Sequence, residues 1–83
     1  MHTTLLARDW FWHSIAELKK PLRVYAKARS RMEEQPATVC PEENGYARVV
    51  FHQPQRAMTP GQAVVLYSGD MVVGGGTIRE VIK

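Results

Sequence analysis

Short apolar alternations, cut at close intervals by glycine- and proline-bearing turns, most constrain what this chain can become. Residues 22–28 are the clearest case: Leu22, Val24, Ala26 and Ala28 alternate with Arg23, Tyr25 and Lys27. Period-2 alternation is the mark of a strand with one buried and one wet face. Asn44-Gly45 is a strong hairpin signal. Thr59-Pro60-Gly61-Gln62 has the Pro-Gly order of a type II turn, in which the glycine supplies the positive φ. Ser68-Gly69-Asp70 marks another reversal. Between these turns the sequence predicts strands over 22–28, 37–40, 46–51, 63–67, 71–73 and 77–82. Residues 53–56 are expected to be a connection and residues 1–4 to fray. Residues 5–18 read two ways: Phe11, Ile15 and Leu18 keep helical spacing, while Trp10-Phe11-Trp12 favours a strand. Gly74-Gly75-Gly76, between the last two predicted strands, suggests a bend or bulge at a barrel corner.

Eighty-three residues supply one small core. The chain is therefore expected to be a single all-β domain over 1–83, a small antiparallel barrel or sandwich. Nucleotide-binding folds need several βαβ units of roughly 30 residues each, so a complete ATP-using enzyme does not fit. Cys40 is the one cysteine, which excludes an internal disulfide and suits a reducing cytoplasm. No apolar run reaches the roughly 18 residues of a membrane helix, and no signal-peptide pattern opens the sequence.

Eleven Lys and Arg face eight Asp and Glu, an excess of only three positive charges. Their distribution says more. Six cations (Lys19, Lys20, Arg23, Lys27, Arg29 and Arg31) occur between Lys19 and Arg31 without one acid. From Ala37 onward, four cations (Arg48, Arg56, Arg79, Lys83) meet four acids (Glu42, Glu43, Asp70, Glu80). On an extended strand Arg23, Lys27 and Arg29 would share one face with Tyr25, and Arg31 would lie just beyond. Such a stripe can neutralise phosphates, with affinity gained from released counterions, and Tyr25 can stack on a base. The competing reading is a solvated sheet face.

Catalytic chemistry finds little support. Cys40 has no activating neighbour in sequence, and Gly74-Gly75-Gly76 lacks the following helix and Lys of a phosphate loop. His2, His13, His52 and Cys40 show no metal-ligand spacing. Trp10 and Trp12 are expected to seal one end of the core.

Lys27-Ala28-Arg29-Ser30-Arg31, Phe51-His52-Gln53-Pro54, Ala57-Met58-Thr59-Pro60-Gly61-Gln62, Leu66-Tyr67-Ser68-Gly69 and Gly74-Gly75-Gly76-Thr77-Ile78 follow one another at the spacing found in the C-terminal domain of tRNA-specific 2-thiouridylases. Trp12 matches a tryptophan that precedes the family's first strand. From about Leu5 to Ile78 the chain resembles that domain. Ser30 stands where that family usually has Tyr, Met32 where it has Gln, and His52-Gln53 in place of an acidic corner.

The resemblance implies a six-stranded antiparallel β-barrel similar to the second barrel of elongation factors. It implies that this barrel contacts tRNA within an enzyme that replaces the C2 oxygen of the wobble uridine by sulfur. ATP activates that position, and a sulfur-carrier protein delivers the sulfur as a persulfide. ATP and the catalytic cysteines belong to an N-terminal adenine-nucleotide domain, and the enzyme also carries a central domain. Both lie outside these residues, so no catalytic residue, cofactor or metal is expected in this chain, and neither DNA nor a membrane is an expected partner. Arg23, Lys27, Arg29 and Arg31 are the expected tRNA contacts, with Arg23 the weakest of them. Pro60, Gly61, Gly74, Gly75 and Gly76 are the expected structural turns. The alternative is a barrel that packs against other domains or a protein partner through Trp10, Phe11 and Trp12, with little RNA contact.

Overall fold

A computed structural model of the chain describes residues 1–29 and 31–82. Six strands form the fold: β1 (His2–Trp12), β2 (Leu22–Lys27), β3 (Gln35–Pro41), β4 (Ala47–Gln55), β5 (Ala63–Ser68) and β6 (Met71–Ile82). They pair antiparallel in the order β1-β4-β3-β2-β5-β6, and β6 pairs with β1 to close the barrel. Closure leaves no free sheet edge among the described residues, which suits a chain too short to cover one with helices.

The alternation read from the sequence fills the interior. Val24 and Ala26 of β2, Ala37 and Val39 of β3, Val49 and Phe51 of β4, and Val64 and Leu66 of β5 are all buried. A six-stranded barrel is narrow, so its lumen is filled by side chains. Alanines at 7, 26, 37 and 47 make room for Phe51, Leu5, Leu66 and Ile78, among the largest wholly buried side chains.

The turns behave as their residues demand. Asn44 and Gly45 both take positive φ (60° and 78°), and the Tyr46 amide donates to the Glu43 carbonyl at 3.1 Å. This is a type I′ turn joining β3 to β4. Gly61 has φ of 93°, and the Gln62 amide donates to the Thr59 carbonyl at 3.2 Å, as a type II turn requires.

Four expectations are corrected and one open reading is resolved. Residues 2–4, expected to fray with Met1, are strand: Thr4 pairs with Val50 on one side and Ile82 on the other, because β1 is the strand across which the barrel closes. Helical spacing at Phe11, Ile15 and Leu18 produces no helix, since Phe11 and Trp12 pair with Gly75 and Gly74. Ile15 and Leu18 instead pack on the core from the segment that follows. Residues 53–55 belong to β4, where Gln55 pairs with His2. The two strands expected at 71–73 and 77–82 are one continuous β6, running through Gly74-Gly75-Gly76.

The last correction concerns the basic run. The extended strand expected to carry Arg23, Lys27 and Arg29 together ends too early: β2 stops at Lys27, and Ala28 and Arg29 bend away. The ladder supplies the reason. β3 last pairs with β2 at Gln35–Ala26, and β5 at Val65–Lys27. Beyond these pairs the backbone satisfies itself locally: the Met32 amide donates to the Arg29 carbonyl at 3.4 Å, and the Ala28 amide meets the Met32 sulfur at 3.0 Å. Ser30, where the resemblance shows a departure, lies outside the described residues.

The three glycines do more than bend β6. A Cβ on Gly74 would lie 2.5 Å from the Phe11 carbonyl oxygen and 2.7 Å from the Trp12 ring. One on Gly76 would lie 2.8 Å from the Trp10 ring and 2.9 Å from the Arg8 carbonyl oxygen. The aromatic run of β1 therefore sits directly on the glycine run of β6. Between Arg8 and Phe11 the pairing slips, with Asp9 at a φ of 57°. That bulge brings both tryptophans over the glycines. Their rings stack at 4.9 Å with planes 1° apart, and the Trp10 indole N–H donates to the Ala7 carbonyl at 2.9 Å.

Candidate nucleic-acid interface

The outer face of β2 presents Arg23 and Tyr25, both exposed, and Lys27, half-buried. Arg23 and Tyr25 project outward because Val24 and Ala26 between them point into the barrel. Tyr25 is 47% exposed, a large aromatic surface left in water beside cations. Its strand neighbours complete a patch. Tyr25 pairs with Tyr67 of β5 on one side and with Pro36 of β3 on the other. His52 of β4 lies one step past the Ala37–Phe51 pair, opposite Pro36. Thr38, paired with Arg23, has its Oγ1 3.2 Å from His52 Nε2 and fixes the imidazole to the sheet. The Lys27 ammonium lies over the Tyr67 ring, 6.0 Å from its centre.

Arg23, Tyr25, Pro36, His52, Tyr67, Ser68 and Gly69 are among the residues lining a surface groove of about 330 Å³, and no acid lines it. Ion pairing does not consume its charge. Among the described residues the acids pair Arg8 with Asp9, Lys19 with Glu17 and Arg48 with Glu42, and none pairs with Arg23, Lys27, Arg29 or Arg31. The patch therefore offers unspent positive charge next to flat rings, the chemistry that phosphates and bases meet in nucleic-acid-binding surfaces.

The structure divides the four expected cations. Arg23 and Lys27 stand on the outer face of β2 on either side of Tyr25. Arg29 is exposed on the bend after the strand, and Arg31 is exposed beyond it. Of the four, Arg23 alone lines the groove. Pro60 and Gly61 stand in their turn, and Gly74 to Gly76 in β6 under the aromatic rings.

Sequence reasoning passed over Tyr67, Pro36 and His52. Tyr67 carried a usable signal: with Val64 and Leu66 inward, period-2 places Tyr67 outward. Pro36 and His52 reach the patch only through strand register, which no local pattern contains.

The other candidates fall elsewhere. Trp10 and Trp12 are half-buried against the glycines and cap the core at that end. The glycine run is strand backbone beneath aromatic rings rather than a cradle opening a helix. Cys40 is a half-buried free thiol on β3. No helix among the described residues is long and apolar enough to cross a membrane.

With this geometry in hand, comparison with known proteins is informative. Residues 2–78 match the family profile described as the aminomethyltransferase beta-barrel domain. A tRNA-specific 2-thiouridylase of Acetivibrio thermocellus is 53% identical over 75 residues, which is 90% of this chain and 21% of that protein. One of Moorella thermoacetica is 53% identical over 79 residues, 95% of the chain and 22% of the protein. That of Shouchella clausii is 51% identical over 77 residues, 93% and 21% respectively. The chain thus spans about a fifth of the length of the curated relatives it matches. It belongs to the aminomethyltransferase beta-barrel domain family, as a barrel of the kind carried by tRNA-specific 2-thiouridylases.

Proposed function

We propose that this barrel holds tRNA for a 2-thiouridylase, through the outer face of β2. The observation that carries the reading is the acid-free groove lined by Arg23 and Tyr25, with Lys27 on the same face of β2 beyond Tyr25 and, among the described residues, neither cation spent in an ion pair. Named relatives that act on tRNA support it. The chemistry lies elsewhere in the enzyme. ATP activates C2 of the wobble uridine, and a sulfur-carrier protein delivers the sulfur, at sites outside these residues, in the cytoplasm. The barrel contributes position and charge. Arg23 and Lys27 bind phosphates, and Arg29 and Arg31 on the adjoining bend extend the positive field along the RNA.

Each phosphate neutralised steepens the dependence of log affinity on log salt by roughly 0.7 to 0.9. In a titration of tRNA with this chain across a series of salt concentrations, Arg23→Ala with Lys27→Ala should flatten the slope by about 1.4 to 1.8. Affinity at low salt should fall about tenfold or more. An unchanged slope would remove the β2 face from the interface.

A second reading has one observation of its own. Phe11 and Met71 are each 57% exposed, large apolar groups on the far strands of the barrel. A bracing role, in which the barrel packs against neighbouring domains, would use them. The same titration separates the two: a chain that binds no tRNA at physiological salt is a brace.

A further inference from the structure

We propose that the groove beside Tyr25 is a subsite for a single unpaired nucleotide, with the base stacked on Tyr25 and its phosphate on Arg23. The proposal rests on the tRNA-holding reading and deepens it, since phosphate binding alone demands no particular RNA structure.

The sheet register builds the platform. Counting across four adjacent strands, His52, Pro36, Tyr25 and Tyr67 stand in one transverse row on the outside of the barrel. Adjacent strands are about 4.8 Å apart. The row is therefore a shelf of flat or ring-shaped side chains, none of them carrying a carboxylate. Among the described residues the stacked aromatic pair is Trp10 with Trp12, so the Tyr25 ring is not spent on an aromatic neighbour. Lys27 occupies one face of Tyr67, which leaves Tyr25 as the ring open to a base. Arg23 stands two residues along the strand, roughly 6.7 Å away, the scale that separates a base from its own phosphate.

The Ser68-Gly69 reversal lines the groove beside Tyr67, and nothing lies within 4 Å of a Cβ built on Gly69, so that side is open to a ligand. Its volume of about 330 Å³ is at the small end of ligand-binding sites, which run roughly 300–1,000 Å³. That is room for one nucleotide. A duplex buries base faces in its stack and offers only edges and backbone. Only a loop, bulge or single strand can lay a base face on Tyr25.

The test compares two fluorescein-labelled RNAs of equal phosphate count, an unstructured oligouridine and a fully paired hairpin, by polarisation with the intact chain. Base–aromatic stacking corresponds to roughly a fivefold to 150-fold change in affinity. Oligouridine should bind at least about fivefold tighter than the hairpin. Tyr25→Ala should abolish that preference and leave the salt slope as it was, because no phosphate contact is lost. Tyr25→Phe keeps the ring and should retain the preference. Equal binding of both RNAs, unaffected by Tyr25→Ala, overturns the stacking subsite and leaves the phosphate-holding role standing. Failure of both RNAs to bind overturns the subsite and the phosphate-holding role together.

Discussion

Gly74→Ala should lower the melting temperature of this barrel by about 12–24 °C, taking a loss of about 3 kcal/mol and the 4–8 °C per kcal/mol usual for domains of this size. The added methyl would start 2.5 Å from the Phe11 carbonyl oxygen and 2.7 Å from the Trp12 ring. The first is backbone held in the β1–β6 ladder, and the second is a ring clamped against Trp10, so neither can retreat cheaply. Gly75→Ala should be milder. Its nearest obstacle, at 2.9 Å, is the edge of Phe11, an exposed ring that can swing away. Gly45→Ala separates crowding from backbone strain: a Cβ there meets nothing within 4 Å, and the positive φ alone costs about 1–2 kcal/mol. Thermal unfolding followed by circular dichroism orders the three. If Gly74→Ala melts no lower than Gly45→Ala, the close seating of the aromatic run on β6 is wrong.

Phe51→Ala should cost about 3–5 kcal/mol, the range for emptying a buried aromatic position. Phe51 is the largest wholly buried side chain, 1% exposed, on a strand paired with both β1 and β3. The small residues around it, among them Ala7, Ala26, Ala37 and Ala47, cannot reach across to fill the hole. A small domain commands little margin beyond such a loss. Urea denaturation should show a variant unfolded at low denaturant or without any. Tyr25→Ala, on the wet face of the same sheet, should unfold close to the parent midpoint, since surface substitutions mostly fall within about 0.5 kcal/mol. A Phe51→Ala midpoint near the parent's would mean the lumen is not the core.

The barrel was legible in the sequence wherever a local pattern sufficed. Asn44-Gly45 and Pro60-Gly61 state their turn types outright, and the alternation from Leu22 to Lys27 states which residues point inward. Legibility failed where the deciding partner is distant in sequence. The strand fate of residues 2–4 is settled by Val50 and Ile82, and the end of β2 by where β3 and β5 stop pairing. The glycine run looked like a corner because its reason, the rings of Trp10, Phe11 and Trp12, arrives from the opposite end of the chain. The same limit shaped the candidate site. A charge run marks a neighbourhood, and so Arg29 and Arg31 ranked with Lys27. Register is what draws Arg23 into the groove with His52, Pro36 and Tyr67, and puts the two later arginines outside it.

The decisive experiment is an amide NMR map of the chain titrated with a tRNA anticodon stem-loop. Resonances of Arg23, Tyr25 and Lys27, together with His52 and Tyr67, should move most, while those around Trp10, Trp12 and Phe11 stay nearly still. The largest shifts gathered around Phe11 and Met71, with β2 unmoved, would place the RNA elsewhere and contradict the role assigned to the outer face of β2.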